Sequence, residues 1–143
     1  MTTPHEMLNP RHWKAPAGYS NGVAARGRMI FTGGIIGWTP DQVFETDDFA
    51  GQVRQALHSI VEVLACGGAG PEHLVRLTWY VTDKRAYLDN LKEVGRAYRE
   101  TIGRHYPAMA LVQVVALVED RALVEIEATA VVPDAPAGQE GAV

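Results

Sequence analysis

Apolar side chains recur at helical spacing in two stretches of the chain. One stripe covers residues 49–64, preceded by Asp47 and Asp48, which suit a helix N-terminus, and the other covers residues 87–102. Asp83 precedes the second stripe and Gly103 follows it, and these are ordinary start and stop signals of a helix. The pattern therefore predicts two amphipathic helices.

Strand-like segments surround these helices. They cover residues 20–25, 28–36, 73–82, 108–117 and 122–132. Arg26-Gly27 predicts a hairpin between the first two segments, and the VEDRA sequence at 118–122 predicts another between the last two. The expected order is ββ-α-β-α-ββ, an α+β fold in which a mixed sheet carries two helices on one face.

The opposite face of this sheet has no predicted cover. Its expected polar side chains are Arg76, Thr78, Tyr80, Gln113, Glu125 and Glu127. Its expected apolar side chains are Met109, Leu111, Val115, Leu123 and Val131. A face of this composition suits a subunit interface that contains pockets, so the pattern predicts a homo-oligomer.

Length and charge limit the class of protein. The 143 residues suffice for one domain, with an ordered core expected at about 13–133 between ends that look flexible. The net charge of −4 argues against a nucleic-acid surface, which needs clustered Lys and Arg.

The apolar runs are too short to span a membrane, and residues 1–13 do not resemble a secretory signal. The single cysteine, Cys66, cannot form an internal disulfide. These features predict a cytoplasmic protein that binds neither membrane nor nucleic acid.

Two residues are candidates for chemistry. Glu125 would lie near Met109 if segments 108–117 and 122–132 formed a hairpin, and a carboxylate there could move a proton through water. Spacing alone favours the alternative that it is solvated or paired with Arg76, and the same alternative holds for Glu127. Tyr19, in the AGYSNG sequence, could line a pocket or be a rim aromatic.

Metal and phosphate motifs are missing from the sequence. The five histidines show no HxH or HxxxH spacing, and Cys66 has no cysteine partner, so no metal site is expected. The TGGIIG sequence at 32–37 opens no helix and lacks the pattern of a phosphate loop. His105 is the one histidine beside the candidate site.

Five segments in one order resemble the Rid family, also called YjgF or L-PSP proteins. They are GYSNGV (18–23), IFTGGI (30–35), VRLTWYVTD (75–83), YPAMALVQV (106–114) and ALVEIEATA (122–130). The resemblance implies a chorismate-mutase-like fold, a homotrimer and small-molecule sites in clefts between subunits. It also implies hydrolysis of reactive enamines and imines to ammonia and a keto acid, with no metal or organic cofactor.

The resemblance also assigns site residues. Glu125 matches the water-positioning glutamate, and Tyr19 matches the pocket tyrosine. In the S-G-Q-I stretch of the family, Gly34 is kept, whereas Gly33 and Ile35 replace the serine and the glutamine. The asparagine of the second helix falls at Lys92.

The family pattern P-A-R-[ST] is changed in this chain. It reads Pro107-Ala108-Met109-Ala110, so methionine stands where the family has a substrate-clamping arginine. A guanidinium gives a carboxylate two charge-assisted hydrogen bonds, each worth about 1.5–3 kcal/mol, and methionine gives none. The cations that could substitute are Arg76, Lys92, Arg104 and His105.

Three functions follow as hypotheses. The first is an enamine or imine deaminase with an altered substrate class, such as a 2-aminomuconate-like compound. The second is a trimer that binds or senses a small metabolite without chemistry. The third, a ribonuclease, has least support because the chain is acidic and has no histidine pair in register.

Overall fold

The computed structural model describes residues 2–135. In chain order the elements are β1 (Glu6–Met7), β2 (Val23–Ala24), β3 (Arg28–Phe31), β4 (Ile35–Ile36), α1 (Phe49–Cys66), a short 3₁₀ turn (Pro71–His73), β5 (Leu74–Val81), α2 (Lys84–Leu88), α3 (Leu91–Thr101), β6 (Ala108–Gln113) and β7 (Val124–Val132). The α+β class predicted from the sequence is confirmed.

The main sheet is mixed. Its strands lie in the order β3-β7-β5-β6. β4 also pairs with β7, on the same side of β7 as β3 and further along that strand. Only β5 and β6 run parallel, while the other pairs are antiparallel. β1 and β2 form a separate two-stranded sheet.

The core lies between α1, α3 and one face of this sheet. Its fully buried side chains include Leu57 and Ile60 of α1, Leu77 of β5 and Ile126 of β7. α1 begins as predicted, because Asp48 Oδ2 accepts a hydrogen bond from the backbone N–H of Gly51 at 2.8 Å. Burial of these apolar side chains is the main force that holds the helices on the sheet.

The second predicted helix is two helices. Asp83 caps α2, accepting from the N–H of Arg85 at 2.9 Å, and Gly103 follows α3 at a φ of 98°. The chain leaves the helix between them at Asp89 and Asn90, and Asn90 Nδ2 donates to the carbonyl of Ala86. Asp and Asn side chains compete for backbone hydrogen bonds in this way, which explains the break.

The first predicted hairpin is wrong. β2 pairs with β1, whereas β3 pairs with β7. At Gly27 the chain passes so close to the end of β7 that an added Cβ would lie 2.0 Å from the carbonyl oxygen of Val132. Gly27, at a φ of 145°, therefore allows the close approach of two backbone segments and does not form a tight turn.

The segment predicted as one strand at 28–36 is also interrupted. Three residues separate Phe31 from Ile35, but only two separate their partners Thr129 and Ile126 on β7. The extra residue breaks the ladder between β3 and β4, as a β-bulge does. This break sets the backbone of Gly33 and Gly34 outside the regular pairing.

The second predicted hairpin is wrong as well. β5 lies between β6 and β7, and it pairs with β6 in parallel and with β7 antiparallel. A parallel pair needs a crossover connection, and α2 with α3 supplies it. The alternation of side chains in β6 fits either partner, so the pattern alone does not identify the neighbour.

This pairing corrects the predicted faces of β6. Met109 is paired with Leu77, and Leu111 with Trp79, so both side chains point toward the helices. Gln113 is on that side too, where its Oε1 accepts from the N–H of Lys84 at 2.8 Å. The prediction that these three residues share a face with Glu125 is therefore wrong.

The sheet face away from the helices carries the other polar side chains that are predicted for it. Arg76, Thr78, Tyr80, Glu125 and Glu127 lie there. Met29, Phe31 and Val112 add exposed apolar side chains to the same face. We call this surface the uncovered face.

The chain ends differ in what the structure describes. Residues 1–12 are predicted to be flexible, but β1 is paired, and Thr3 Oγ1 donates to the carbonyl of Glu72 at 2.8 Å. The segment 134–143 is also predicted to be loose, and its residues 136–143 lie outside the described residues. No helix within residues 2–135 is long and apolar enough to cross a membrane.

Candidate functional site

A cleft of about 500 Å³ opens between the β5–β6 edge of the sheet and α3. Its principal side chains are Tyr19, Trp79, Tyr87, Tyr98, Tyr106 and Met109. We call it the aromatic cleft. Five of these six side chains are aromatic, so its walls favour a flat apolar group.

The aromatic rings of the cleft pack against one another. Tyr98 and Tyr106 stack with ring centroids 5.3 Å apart, and Trp79 and Tyr87 approach to 6.5 Å at a tilt. Tyr98 donates its hydroxyl hydrogen bond to the carbonyl of His105, and burial raises the pKa of Tyr98. This phenol is therefore neutral and acts as a fixed wall.

Trp79, which lines the cleft, contains a buried hydrogen-bond donor. The residue is 4% exposed, and its Nε1 has no hydrogen-bond partner within residues 2–135. Leaving a buried donor unpaired costs about 1–3 kcal/mol. An acceptor that reaches this atom, from water or from a bound molecule, would offset that cost.

Arg99 is the one charged residue that lines the aromatic cleft among those described. It has no ion pair or hydrogen bond within the described part of the chain. Gly95 lies one helical turn earlier, and a Cβ added there would be 3.0 Å from Arg99 Nη1. The missing side chain at Gly95 therefore leaves room for the guanidinium over the helix.

The backbone before β6 positions Tyr19. The N–H of Ser20 donates to the carbonyl of Pro107 at 3.0 Å, and the Ser20 hydroxyl donates to the carbonyl of Tyr106 at 2.6 Å. Ser20 also forms a bridge with Ala108. The segment at 106–108 thus holds Tyr19 at the mouth of the aromatic cleft.

A second cavity, of about 520 Å³, contains Glu125, Gly34 and Ile35. We call it the Glu125 groove. The half-buried Glu125 side chain lies directly over Gly34, since a Cβ there would be 2.6 Å from Glu125 Oε1. Gly34 is therefore the residue that leaves space for this carboxylate.

The other carboxylate of the uncovered face is engaged. Tyr80 donates its hydroxyl hydrogen bond to Glu127 Oε1 at 2.8 Å, and this bond raises the pKa of Tyr80. Glu125 forms no ion pair with Arg76 or with any other residue in the range 2–135. Glu125 is therefore available for a ligand or a water molecule.

Comparison with known proteins identifies the family. A model of the family described as Endoribonuclease L-PSP matches residues 10–132. The chain belongs to the L-PSP family. A RutC family protein of Pyrococcus horikoshii is 30% identical over 127 residues, which cover 87% of this chain and 96% of that protein.

Solved structures agree with the L-PSP assignment. YyfB of Yersinia pestis, a Rid-family protein of unknown function, is 29% identical with a TM-score of 0.79, covering 90% of this chain and 98% of its own. TdcF of E. coli, whose crystal structure contains bound serine, is 27% identical with a TM-score of 0.63 and coverage of 88% and 97%. The predicted family and fold are confirmed.

The residues assigned from the family pattern fall into two groups within one protomer. Tyr19 and Met109 line the aromatic cleft, whereas Glu125, Gly34 and Ile35 line the Glu125 groove. The exposed Gly33 adjoins the second group. Pro107 and Ala108 are buried, and their backbones make the contacts with Ser20 described above.

The cations named as substitutes for the arginine lie elsewhere. Arg104 and His105 border a third groove beside the N-terminal segment, and the exposed Lys92 is absent from the lining of the aromatic cleft. His105 is 4% exposed, with Nε2 2.8 Å from the carbonyl oxygen of Leu74, and its burial lowers its pKa. His105 is thus a buried neutral residue.

Sequence reasoning missed Arg99 and the role of Tyr98 and Tyr106. Tyr98 belongs to the apolar stripe of its helix, which indicates a core residue, and Arg99 follows it on what looks like a solvated face. The available signal is Gly95, a helix-interior glycine four residues before Arg99. Glycine weakens a helix, so its presence there indicates a need for space.

Proposed function

We propose that this chain is a cytoplasmic, deaminase-like hydrolase that converts a reactive enamine or imine into ammonia and a carbonyl product. The observation that carries the proposal is the Glu125 groove. There a half-buried carboxylate without an ion-pair partner among residues 2–135 lies over the bare backbone of Gly34. Such a group can hold and deprotonate a water molecule.

The proposed reaction needs only water and one carboxylate. An enamine first tautomerises to its imine. Glu125 accepts a proton from water as the water oxygen bonds to the imine carbon, and it returns that proton to the nitrogen, which gives a neutral carbinolamine. Glu125 then takes the hydroxyl proton of the carbinolamine and passes it to the nitrogen as the C–N bond breaks, so that the carbonyl product leaves with ammonia.

The complete site is proposed to form between protomers of a homotrimer. Met109 and Glu125 point to opposite faces of the sheet, so one protomer does not bring them together. Exposed Phe31 and Val112 on the uncovered face support burial of that face against another copy. The aromatic cleft of one protomer would then meet the Glu125 groove of its neighbour.

The substrate is proposed to differ from the small 2-imino acids that the family resemblance suggests. Met109 presents a flexible, polarisable surface in place of a guanidinium. Together with Tyr98 and Tyr106 it favours a larger conjugated molecule, such as a 2-aminomuconate-like compound.

Ammonia release from imines tests this function. An amino-acid oxidase would generate imines in situ, from small aliphatic to aromatic and dicarboxylic ones. We expect the wild type to accelerate release for the conjugated or dicarboxylic members, and Glu125→Gln to lower the rate by about 10²–10⁴-fold. Glu127→Gln is the matched control, because Glu127 lies on the same face and bonds to Tyr80. Full activity of Glu125→Gln would contradict the mechanism.

The change at Met109 also favours a second candidate, a trimer that binds a small metabolite without hydrolysing it. In that case the protein would show saturable ligand binding and no ammonia release from any imine of the panel. The same assay therefore separates the two functions.

Ribonuclease activity, which the family description names, has little support in the described residues. The chain is acidic, with a net charge of −4. The aromatic cleft has Arg99 as its single charged side chain among residues 2–135, and His105 is buried beside the third groove. Phosphate contacts depend on clustered cations.

A further inference from the structure

The aromatic cleft combines an apolar body with one positive charge. Its walls are the rings of Tyr19, Trp79, Tyr87, Tyr98 and Tyr106, and its charged member is Arg99. A molecule that fits both features is flat and apolar over most of its surface and carries one anionic group.

We propose that Arg99 binds a carboxylate in the aromatic cleft, and that the cleft selects planar, conjugated carboxylates. The proposal rests on the proposed function only in taking this cleft as the substrate-binding wall. It assigns the anion contact to a helix residue, whereas Met109, on the neighbouring strand, provides apolar contact.

The state of the Arg99 side chain supports this role. The guanidinium has no carboxylate partner within residues 2–135, in contrast to Arg96 on the same helix, which pairs with Glu93 at 3.5 Å. An arginine offers a planar fork of donors that matches the two oxygens of a carboxylate. Arg99 therefore has its full donor set available for a ligand.

The surroundings of Arg99 also favour an anion over bulk solvent. Gly95 leaves the helix backbone bare next to the guanidinium, and both residues line the cleft. Apolar walls lower the local dielectric, which strengthens a charge pair relative to one in open water. A flat ligand body that covers these walls would exclude water from the pair.

The shape of the walls limits the ligand body. The rings of Tyr98 and Tyr106 lie nearly parallel, at 13° to each other, and present a stacked pair. Aromatic groups prefer offset-stacked or edge-on contacts with such rings. An unsaturated planar chain or ring therefore suits the cleft better than a puckered or short aliphatic one.

Equilibrium binding of stable probes tests the proposal without turnover. The planar probe is trans-cinnamate, its neutral isostere is cinnamyl alcohol, and the controls for shape and size are cyclohexanecarboxylate and acetate. Dissociation constants would be measured by calorimetry for the wild type, Arg99→Leu, Arg99→Lys and the matched control Arg96→Leu. Thermal unfolding of each variant verifies that the fold is intact.

We expect trans-cinnamate to bind the wild type more tightly than the other three probes. Arg99→Leu should weaken that binding about 10- to 100-fold, the loss expected for a charge-assisted contact. Arg99→Lys should be intermediate, because it keeps the charge and loses the fork. Arg96→Leu should leave the constant within about twofold, since its charge lies outside the cleft.

Three results would overturn the proposal. They are equal binding of trans-cinnamate to the wild type and Arg99→Leu, equal affinity of the wild type for the alcohol and the acid, and no saturable binding of any probe. Measuring both probe binding and ammonia release separates this proposal from the proposed hydrolysis. Arg99-dependent binding with no ammonia release from any imine would refute the hydrolysis alone, whereas turnover that ignores Arg99→Leu would refute the carboxylate contact alone.

Discussion

Met109 and Leu77 occupy paired positions on the parallel strands β6 and β5, and this pairing turns the Met109 side chain toward the helices. Glu125 lies on the other face of the sheet, paired with Tyr80. Met109, which stands in place of the family's arginine, therefore belongs to the aromatic cleft and does not line the Glu125 groove of the same protomer. This separation underlies the predictions below.

Restoring the arginine should change substrate choice. Met109→Arg adds a guanidinium to the aromatic cleft, so it should increase ammonia release from small 2-imino acids and decrease it from conjugated ones. The measurement is the ratio of kcat/KM for the alanine-derived and aromatic imines. Met109→Leu is the control, because it changes shape without adding charge. An unchanged ratio in Met109→Arg would show that this position does not determine specificity.

Gly34 and Gly33 form a matched pair for testing the Glu125 groove. A Cβ at Gly34 would lie 2.6 Å from Glu125 Oε1, whereas a Cβ at Gly33 meets nothing within 4 Å. Gly34→Ala should displace the carboxylate and lower kcat at least tenfold, while Gly33→Ala should retain activity. Both should unfold at similar temperatures, because the displaced atom ends a flexible side chain. Equal kinetics for the two variants would argue against a role of Glu125.

Gly95→Ala should separate stability from binding. Replacing a helix-interior glycine by alanine stabilises a helix by about 0.5–1 kcal/mol. The added Cβ lies 3.0 Å from Arg99 Nη1, so the guanidinium must move. We expect a higher midpoint in urea unfolding together with weaker binding of trans-cinnamate. Tighter binding would contradict the position assigned to the Arg99 side chain.

The stability of the protein should fall in mild acid because of His105. Burial is the main cause that lowers the pKa of His105, His5 adds to it, and the hydrogen bond to Leu74 and the charge of Glu72 oppose it. The unfolded chain, with a histidine pKa of about 6.5, therefore binds a proton that the folded chain does not. The free energy of unfolding should be constant above that pH and fall below it, by at most about 1.4 kcal/mol per pH unit from this group.

Urea unfolding from pH 7.5 to 5 measures this dependence. His105→Gln should flatten the slope relative to the wild type. A slope that is the same in the wild type and His105→Gln would assign the acid sensitivity to other groups.

The uncovered face should determine oligomeric state. Phe31 is 65% exposed in the protomer and lies on this face. If the face is buried in a homotrimer, Phe31→Glu should shift the mass measured by light scattering toward the monomer and abolish hydrolysis as well. Leu88→Glu is the control, since the exposed Leu88 belongs to α2 and not to the uncovered face. A trimeric mass for Phe31→Glu would place the interface elsewhere.

Local patterns predicted α1 and the central strand β5 correctly, because their signals lie within one element, whereas the second predicted helix is broken at Asp89 and Asn90. Asp48 caps α1 as expected, and β5 alternates over nearly the predicted range. The two hairpins were wrong because strand pairing is a choice between distant segments. The alternation in β6 is equally compatible with β7 or β5 as a neighbour, but only the true neighbour decides the face of Met109.

The candidate site shows the same difference between signals within one element and contacts between distant segments. Glu125 was placed on the correct face from its alternation in β7, and its role in chemistry stays a prediction. The role proposed for Arg99 could not be predicted, because an exposed arginine on an amphipathic helix looks like any solvated residue. Its relation to Tyr98, Gly95 and Met109 appears only when the helix is packed against the β6 edge.

The split between the two cavities bears on how such a protein changes over generations. The aromatic cleft is built from β5, β6, the helices α2 and α3, and the segment before Ser20, whereas Gly34 directly precedes β4 and Glu125 lies in β7. A substitution at position 99 or 109 changes the lining of the cleft and leaves Glu125 and Gly34 undisturbed. The two sets of side chains can therefore change separately, one residue at a time.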